Sequence, residues 1–413
     1  VPVTDLTARF LQGLGDAATQ PLGLAVSGGG DSMAMLQLAH RAGLALRVAT
    51  VDHGLRAESA AEAAQVARVC AGLGVPHQTL RWQGWDGKGN LQDQARRARR
   101  ALLADWARAH GLAVALAHTR DDVAETFLMR LARGAGVDGL SAMSARWTEA
   151  GVIWLRPLLA ASREELRTAL RGWGVDWAED PSNAAERFDR VRARKALRAL
   201  APLGLGTATL ADVAGHLAEA RHVLEAATDA VAGRVLTVAD GIVRIGEGFF
   251  SEPAELQRRL LQRVLLWIVP GDYAPRGTAV QGLLAKLDSG KSAQLAGCHF
   301  LIQQGGVLAF REAAAVRQLS CVANAVWDNR WTLTGPAVPR ARLRALGADG
   351  LSQIADWRGL GLPRAALLSQ PSVWLDDQLL AAPCARLVHA PSGNWRAISH
   401  PGPDALFQSV LSH

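Results

Sequence analysis

LGLAVSGGGDSMAMLQLAHR, residues 22–41, decides the fold. Leu22, Leu24, Ala25 and Val26 form a short apolar run, as in a strand buried on both faces of a parallel sheet. Ser27, Gly28, Gly29, Gly30, Asp31 and Ser32 then turn the chain into a helix whose apolar face is Met33, Leu36 and Leu38. Glycine lets the backbone adopt conformations closed to other residues and lets a ligand approach bare peptide N–H groups. The following helix offers unpaired N–H groups and a partial positive charge to an anion. The loop is built to hold phosphate.

The common nucleotide-binding consensus ends its glycine loop with Lys-Ser or Lys-Thr, whereas this loop carries Asp31. An aspartate beside phosphates makes sense if it carries Mg²⁺, because hard cations take carboxylate and phosphate oxygens together. The alternative is a glycine turn closed by a helix-capping aspartate. In its strand–loop–helix setting, SGGGDS resembles the phosphate loop of the N-type ATP pyrophosphatases, the PP-loop superfamily, which cut ATP between the α and β phosphates.

Working outward, 46–51, 77–82, 114–117 and 152–155 read as further strands, separated by helical stretches at 59–73, 90–110, 121–131 and 162–173. The last of these opens on Ser162-Arg163-Glu164-Glu165, a capping box. Alternating strands and helices predict an α/β fold, a doubly wound parallel sheet that binds ligand beyond the carboxyl ends of its strands. SGGGDS, the segment 52–56 (DHGLR) and the segment 118–122 all fall at such ends. His118, Asp121, Asp122 and Glu125 stand at i, i+3, i+4 and i+7, so a helix starting near His118 points them into one crevice. Such a stripe would hold Mg²⁺ or an ammonium group; the competing account is N-terminal capping, which the helix dipole favours. Arg96, Arg99 and Arg100 share a helix face, for which a solvated basic surface is the alternative. Arg187, Arg190, Arg192, Arg194, Lys195 and Arg198 make the densest basic run in the chain, a candidate contact to a phosphate backbone.

The 413 residues suffice for two or three domains. A helix at 209–236 is expected to link the first domain to the rest, and a hairpin at 299–310 to turn at Gly305-Gly306. Expected domains are a catalytic domain at 1–205, a linker helix at 206–236, a small α+β domain at 237–318 and a mostly β domain at 319–413. The net charge of +7 points to a polyanionic partner. Only four of the 45 basic residues are lysine, however, so part of the arginine content reflects composition bias and only clusters carry weight. Four scattered cysteines exclude a disulfide framework or a zinc knuckle. No basic-then-apolar leader opens the sequence and no apolar run approaches the ~20 residues of a bilayer span, so a cytoplasmic location is expected.

Over its first 200 residues the chain resembles the tRNA(Ile)-lysidine synthetases. The matching pieces are SGGGDS (27–32), DHGLR (52–56), the Asn90–Arg96–Arg99 helix, AHTRDDVAET (117–126), LARGAG (131–136), GLSAM (139–143), RPLL (156–159) and EDPSN (179–183) with its trailing arginines. The resemblance implies a ligase forming a carbon–nitrogen bond. ATP adenylates the C2 oxygen of the wobble cytidine in the CAU anticodon of tRNA(Ile), and free L-lysine displaces AMP to give lysidine, with pyrophosphate released earlier. It also implies that Ser27 through Ser32 cradle ATP, Asp31 helps hold Mg²⁺, and Asp122 and Glu125 bind lysine's charged groups. Arg96 and Arg99 would face the cytosine or the α-phosphate, His118 and Asp121 would shape the site, and Arg187, Arg190, Arg192 and Arg194 would meet tRNA. A homodimer is left open. The sequence departs from the family pattern at Thr119, Val123, Arg100 and Val191, where His, Gln, Tyr and Asn are usual. Alternatives are a PP-loop tRNA thiolase, for which Cys70 is the only cysteine in the first 200 residues, or a non-catalytic tRNA-binding protein.

Overall fold

The computed structural model describes residues 3–54, 58–83, 91–178, 189–271, 274–275, 277–388 and 394–407. Two compact units divide the chain within one long helix, at Arg221/His222.

In the first unit, α1 (Val3–Leu14) precedes β1 (Leu22–Ala25), α2 (Gly30–Arg41), β2 (Leu46–Asp52), α3 (Glu58–Gly72), β3 (His77–Arg81), α4 (Leu91–His110) and β4 (Ala113–Leu116). Then come α5 (Arg120–Leu131), α6 (Val137–Leu140), β5 (Arg146–Glu149), β6 (Val152–Leu155), α7 (Arg163–Gly172), α8 (Asp189–Leu200) and α9 (Thr207–Val235). The strands order as β3-β2-β1-β4-β6-β5, parallel except for the β5–β6 hairpin. The five expected strands are present, and the chain switches direction between β1 and β4. That is where a doubly wound sheet opens its crevice.

Residues of β1 alternate between the two faces of the sheet, and both are buried. Leu22 and Leu24 pack with Phe10 of α1, Met33 and Leu36 of α2, and Leu166 and Leu170 of α7. Ala25 faces Leu103, Trp106 and Ala107 of α4, with Trp154. Gly13 of α1 lies so close to the RPLL segment that a Cβ there would stand 2.5 Å from the Pro157 carbonyl oxygen. Gly13→Ala should therefore destabilise the protein by about 1–3 kcal/mol, overriding a helix-propensity gain of about 1 kcal/mol or less. Gly172→Ala near the end of α7, where nothing lies within 4 Å, should instead stabilise by up to about 1 kcal/mol. Chemical denaturation of the two variants checks both signs.

A third apolar cluster ties Val123, Ala124 and Phe127 of α5 to Leu197 of α8 and to Leu210 and Ala214 of α9. The first unit thus takes in the opening turns of α9. Val123 is buried within this cluster.

In the second unit, β7 (Leu236–Ala239), β8 (Ile242–Gly246), α10 (Ala254–Ile268), α11 (Gly277–Asp288), β9 (Ala293–Leu295), β10 (Cys298–Gln303) and β11 (Gly306–Arg311) make a sheet ordered β7-β8-β11-β10-β9, with two helices. The β10–β11 hairpin turns at Gln304-Gly305, because Gln303 already pairs with Gly306, one residue ahead of the expected turn. β12 (Ser320–Val322), β13 (Trp331–Thr334), β14 (Arg342–Ala345), β15 (Pro371–Leu375), β16 (Gln378–Ala382), β17 (Leu387–Val388) and β18 (Arg396–Ser399) form a second five-stranded sheet, β12-β14-β15-β16-β17, and the pair β13-β18. Among the described residues no helix is long and apolar enough to cross a membrane.

Candidate active site

The phosphate loop leaves β1 with Gly28 at φ +90°, a left-handed conformation that suits glycine. The Ser32 hydroxyl ties the loop together: it donates to the Gly29 carbonyl at 2.8 Å and accepts from the Ser27 N–H at 3.2 Å. Gly29, the N-cap of α2, supplies no side-chain cap, so the first N–H groups of that helix keep their capacity to bind an anion. Ala178 pairs with Gly29 in an isolated parallel bridge. Trp177, next in the chain, packs on Gly30, where an added Cβ would meet its indole at 3.3 Å. The buried Trp177 Nε1–H has no hydrogen-bond partner among the described residues and is a donor that sequence reasoning missed. Beside the loop, Ser27, His53, Glu62, Arg99 and Leu103 line a cavity of about 110 Å³ at the carboxyl ends of β1 and β2.

Across the crevice, α5 starts at Arg120 with Thr119 as N-cap, so His118 precedes the helix instead of sharing its stripe. Capping and site-building prove to be one arrangement. Asp122 uses Oδ2 to accept from the Thr119 N–H (2.9 Å) and hydroxyl (2.8 Å), and presents Oδ1 to the crevice. Thr119, fully buried, is the N-cap whose hydroxyl accepts from the Asp122 N–H. Asp121 Oδ2 accepts from the backbone N–H of Arg163 at 2.9 Å, and Arg120 N–H donates to the Ala161 carbonyl at 2.9 Å. The amino ends of α5 and α7 are therefore fastened together and open onto the same space.

Into that space projects Arg163, the first residue of α7, directly after its N-cap Ser162 and inside the Ser162–Glu165 capping box. Its guanidinium donates through Nε to Asp31 Oδ2 (3.1 Å), through Nη2 to Asp122 Oδ1 (2.7 Å) and through Nη1 to Glu125 Oε1. From α8, Arg190 reaches Asp122 Oδ1 (3.3 Å) and Arg194 reaches Glu125 Oε1 (2.7 Å). Glu125 is 1% exposed, and its Oε2 is buried without a hydrogen-bond partner among the described residues. Burial opposes ionisation of Asp122, but Arg163, the Thr119 N–H and Arg190 outweigh it and hold the carboxyl below the usual range. Burial, with help from the Asp122 charge, raises the Asp31 carboxyl despite Arg163. The carboxylates outweigh burial at Arg163, holding its guanidinium above its ordinary range.

The basic residues divide differently from the sequence expectation. Arg190 and Arg194 enter the carboxylate cluster, so the run does not present one phosphate-facing surface. Arg192 points outward, paired with Asp189, and Arg187 lies outside the described residues. Arg96 and Arg99 remain exposed on α4, whereas Arg100 bonds Glu149 at 2.9 Å and lies over the rings of Trp147 and Trp154. Leu55, Arg56, Asn90 and the EDPSN segment also lie outside the described residues.

Arg156, from the RPLL segment, is buried over the Trp147 ring at 4.0 Å and donates to His118 Nδ1 at 3.1 Å. Burial and nearby arginines push Arg156 down to about 10. Burial and the Arg156 charge push His118 down to about 3, so it stays neutral with Nδ1 as acceptor. Because the unfolded histidine titrates near 6.5, this contribution to stability is complete above about pH 6.5 and is lost as pH falls toward 3. His118→Gln should therefore shrink the loss of melting temperature between pH 6.5 and 4 relative to the unmodified protein.

Mg²⁺ fits these residues only as a companion of phosphate. Among the described residues no group of three or more His, Cys, Asp or Glu side chains is placed to hold a metal. Asp31 nevertheless sets a carboxylate in the first turn after the phosphate loop, and Mg²⁺ is ordinarily held by one or two carboxylates plus substrate phosphates.

Residues 2–200 match the PP-loop domain family. The chain is 51% identical to a tRNA(Ile)-lysidine synthase of Ruegeria pomeroyi over 399 residues, covering 95% of this chain and 94% of that protein. It is 44% identical to the enzyme of the same name from Rhodopseudomonas palustris (59% of this chain, 73% of that one). For the Bradyrhizobium diazoefficiens protein the identity is 42%, over 66% and 80% of the two chains. With a phosphate loop facing a buried carboxylate pair and a near full-length relative at this identity, the chain belongs to the tRNA(Ile)-lysidine synthase family.

Proposed function

We propose a division of labour for lysidine formation in this chain, carried by one observation: Asp122 and Glu125, buried and bonded to arginines, face the phosphate loop across a crevice at the sheet's switch point. Ser27 through Ser32 and the start of α2 hold the ATP phosphates, Trp177 Nε1–H adds a donor there, and the cavity at Arg99 receives the nucleoside end. Asp31 would hold Mg²⁺, which when bound offsets phosphate charge and orients the α-phosphate for attack. Arg96 and Arg99, exposed beside that cavity, reach the cytosine whose C2 oxygen is adenylated. Asp122 and Glu125 take the ammonium charge of lysine. His118 and Asp121 act by position: the first anchors Arg156, the second fastens α7 to α5. Lysine's ε-amine then displaces AMP from C2.

Sulfur transfer is disfavoured because Cys70 is buried in α3, with its thiol pushed up to about 11 by burial. We place the enzyme in the cytoplasm, where tRNA, ATP and lysine meet. The two sheet-bearing parts of the second unit, at 237–318 and 319–413, supply the contacts by which one CAU-bearing tRNA is told from another. Incubating a tRNA(Ile) transcript with ATP and lysine, followed by nucleoside analysis, tests the reading. Lysidine, AMP and pyrophosphate are expected; ADP as the main nucleotide product would overturn it.

The arginines separate under salt. Arg192→Ala should flatten the logarithmic salt dependence of tRNA affinity by about one unit, as expected for one lost phosphate contact. Arg194→Ala should leave that slope alone and impair lysine use. Filter binding at several salt concentrations decides between them, and equal slopes for both variants would return Arg194 to the tRNA-facing set.

A further inference from the structure

Three carboxylates, Asp31, Asp122 and Glu125, meet three guanidinium groups, Arg163, Arg190 and Arg194. The cluster is formally neutral. A lysine ammonium entering it would find no uncompensated negative charge, and the oxygens best placed to receive it, Asp122 Oδ1 and Glu125 Oε1, already accept from Arg163. Arg163 and the substrate cation therefore compete for the same atoms.

Arg163 is also the member of the cluster that phosphate charge can draw away. Its Nε bonds Asp31, which belongs to the phosphate loop, so the guanidinium already spans the two halves of the site. Its backbone is fixed, with the N–H on Asp121 and α7 closed by the capping box, so only the side chain has to turn. Bound ATP would bring several negative charges to the loop, and Asp31, were it to hold Mg²⁺ there, would no longer need Arg163 as a counter-charge. Guanidinium favours bidentate bonding to phosphate, and the exchange leaves Asp122 and Glu125 short of one positive charge.

Resting on the reading that Asp122 and Glu125 bind lysine, we infer that Arg163 is a positioning residue that makes lysine binding conditional on nucleotide: its guanidinium holds the ammonium subsite until phosphate claims it. The consequence is order. Lysine enters after ATP, and the carboxylate pair keeps a counter-cation throughout. Apparent lysine affinity is lowered by the fraction of molecules whose subsite is still held by Arg163, and by linkage lysine must raise ATP affinity by the same factor.

The test is equilibrium dialysis of radiolabelled lysine against the full-length chain, with and without Mg²⁺ and a non-hydrolysable ATP analogue. The unmodified protein should bind lysine at least about tenfold more tightly with the analogue. Arg163→Gln should bind lysine without the analogue about tenfold more tightly than the unmodified protein, and should gain little on its addition. Arg163→Lys, which keeps a charge able to reach the same carboxylates, should restore the dependence in part; a merely structural role for Arg163 would move none of these ratios. Equal lysine affinity with and without analogue in the unmodified protein overturns the inference, and needs no variant to fold. Glu125→Gln with saturating analogue separates the two layers. Lost lysine binding there keeps the carboxylate reading whatever Arg163 does, and unchanged binding sinks both.

Discussion

Asp31→Ala should lower the rate of ATP–pyrophosphate exchange by about 10²–10³-fold or more, the loss expected when a preorganised electrostatic contact to a reacting phosphate is removed. Asp31 lies in the first turn of α2, immediately after the glycines, where it would hold Mg²⁺, whose charge would offset that of the phosphates. Its carboxyl is raised by burial, so the folded protein holds an ion whose environment disfavours it, and the alanine variant sheds that strain. Arg163 keeps Asp122 and Glu125 as partners after the substitution. The variant should accordingly melt close to the unmodified protein, which separates a chemical loss from a folding one. Exchange retained above about a tenth would show that Asp31 is not the group on which the phosphates are oriented.

β1, β4 and β6 were legible because each is a short apolar run, as a parallel sheet covered on both faces needs, whereas β3, His-Gln-Thr-Leu-Arg, lies at the sheet's edge and is largely exposed. β5 escaped notice for the converse reason. Arg146, Trp147, Thr148 and Glu149 put one buried side chain between exposed or half-exposed ones, as suits an edge strand, and the hairpin depends on Ala150 and Gly151 both taking positive φ. The phosphate loop and the Asp122–Glu125 pair are local features of spacing, which a sequence displays directly. Arg163 is not. As the first residue of a capped helix it has no periodic signature, and it matters only because the amino ends of α5 and α7 are hooked together, across forty-odd residues of chain. The placement of Arg190 and Arg194 was likewise hidden from the sequence. Four apart on α8, they share the face that packs against α5, so a stretch that looks like a phosphate-binding run supplies two counter-charges to the site.

Glu125→Gln should spare adenylation and disable the step that uses lysine. In the proposed arrangement the two halves of the reaction draw on different atoms: ATP would meet the loop, Asp31 and the cavity at Arg99, whereas Glu125 stands on α5 across the crevice. At 1% exposure it has no water to replace a lost partner. An ammonium that loses one of two carboxylates in such a place forfeits roughly 2–5 kcal/mol, or about 30-fold to several thousandfold in lysine use. ATP–pyrophosphate exchange in the presence of tRNA should change by no more than a few-fold. Some stability is lost as well, because Arg163 and Arg194 both bond Glu125 Oε1 and an amide compensates them less well. Lysine dependence must therefore be measured as a saturation curve on protein shown by its melt to be folded. A raised half-saturation point for lysine with exchange intact is the expected pattern. Collapse of exchange with unaltered lysine saturation would mean that the carboxylate serves the metal and its phosphates, and the ammonium site would have to be sought elsewhere in the crevice.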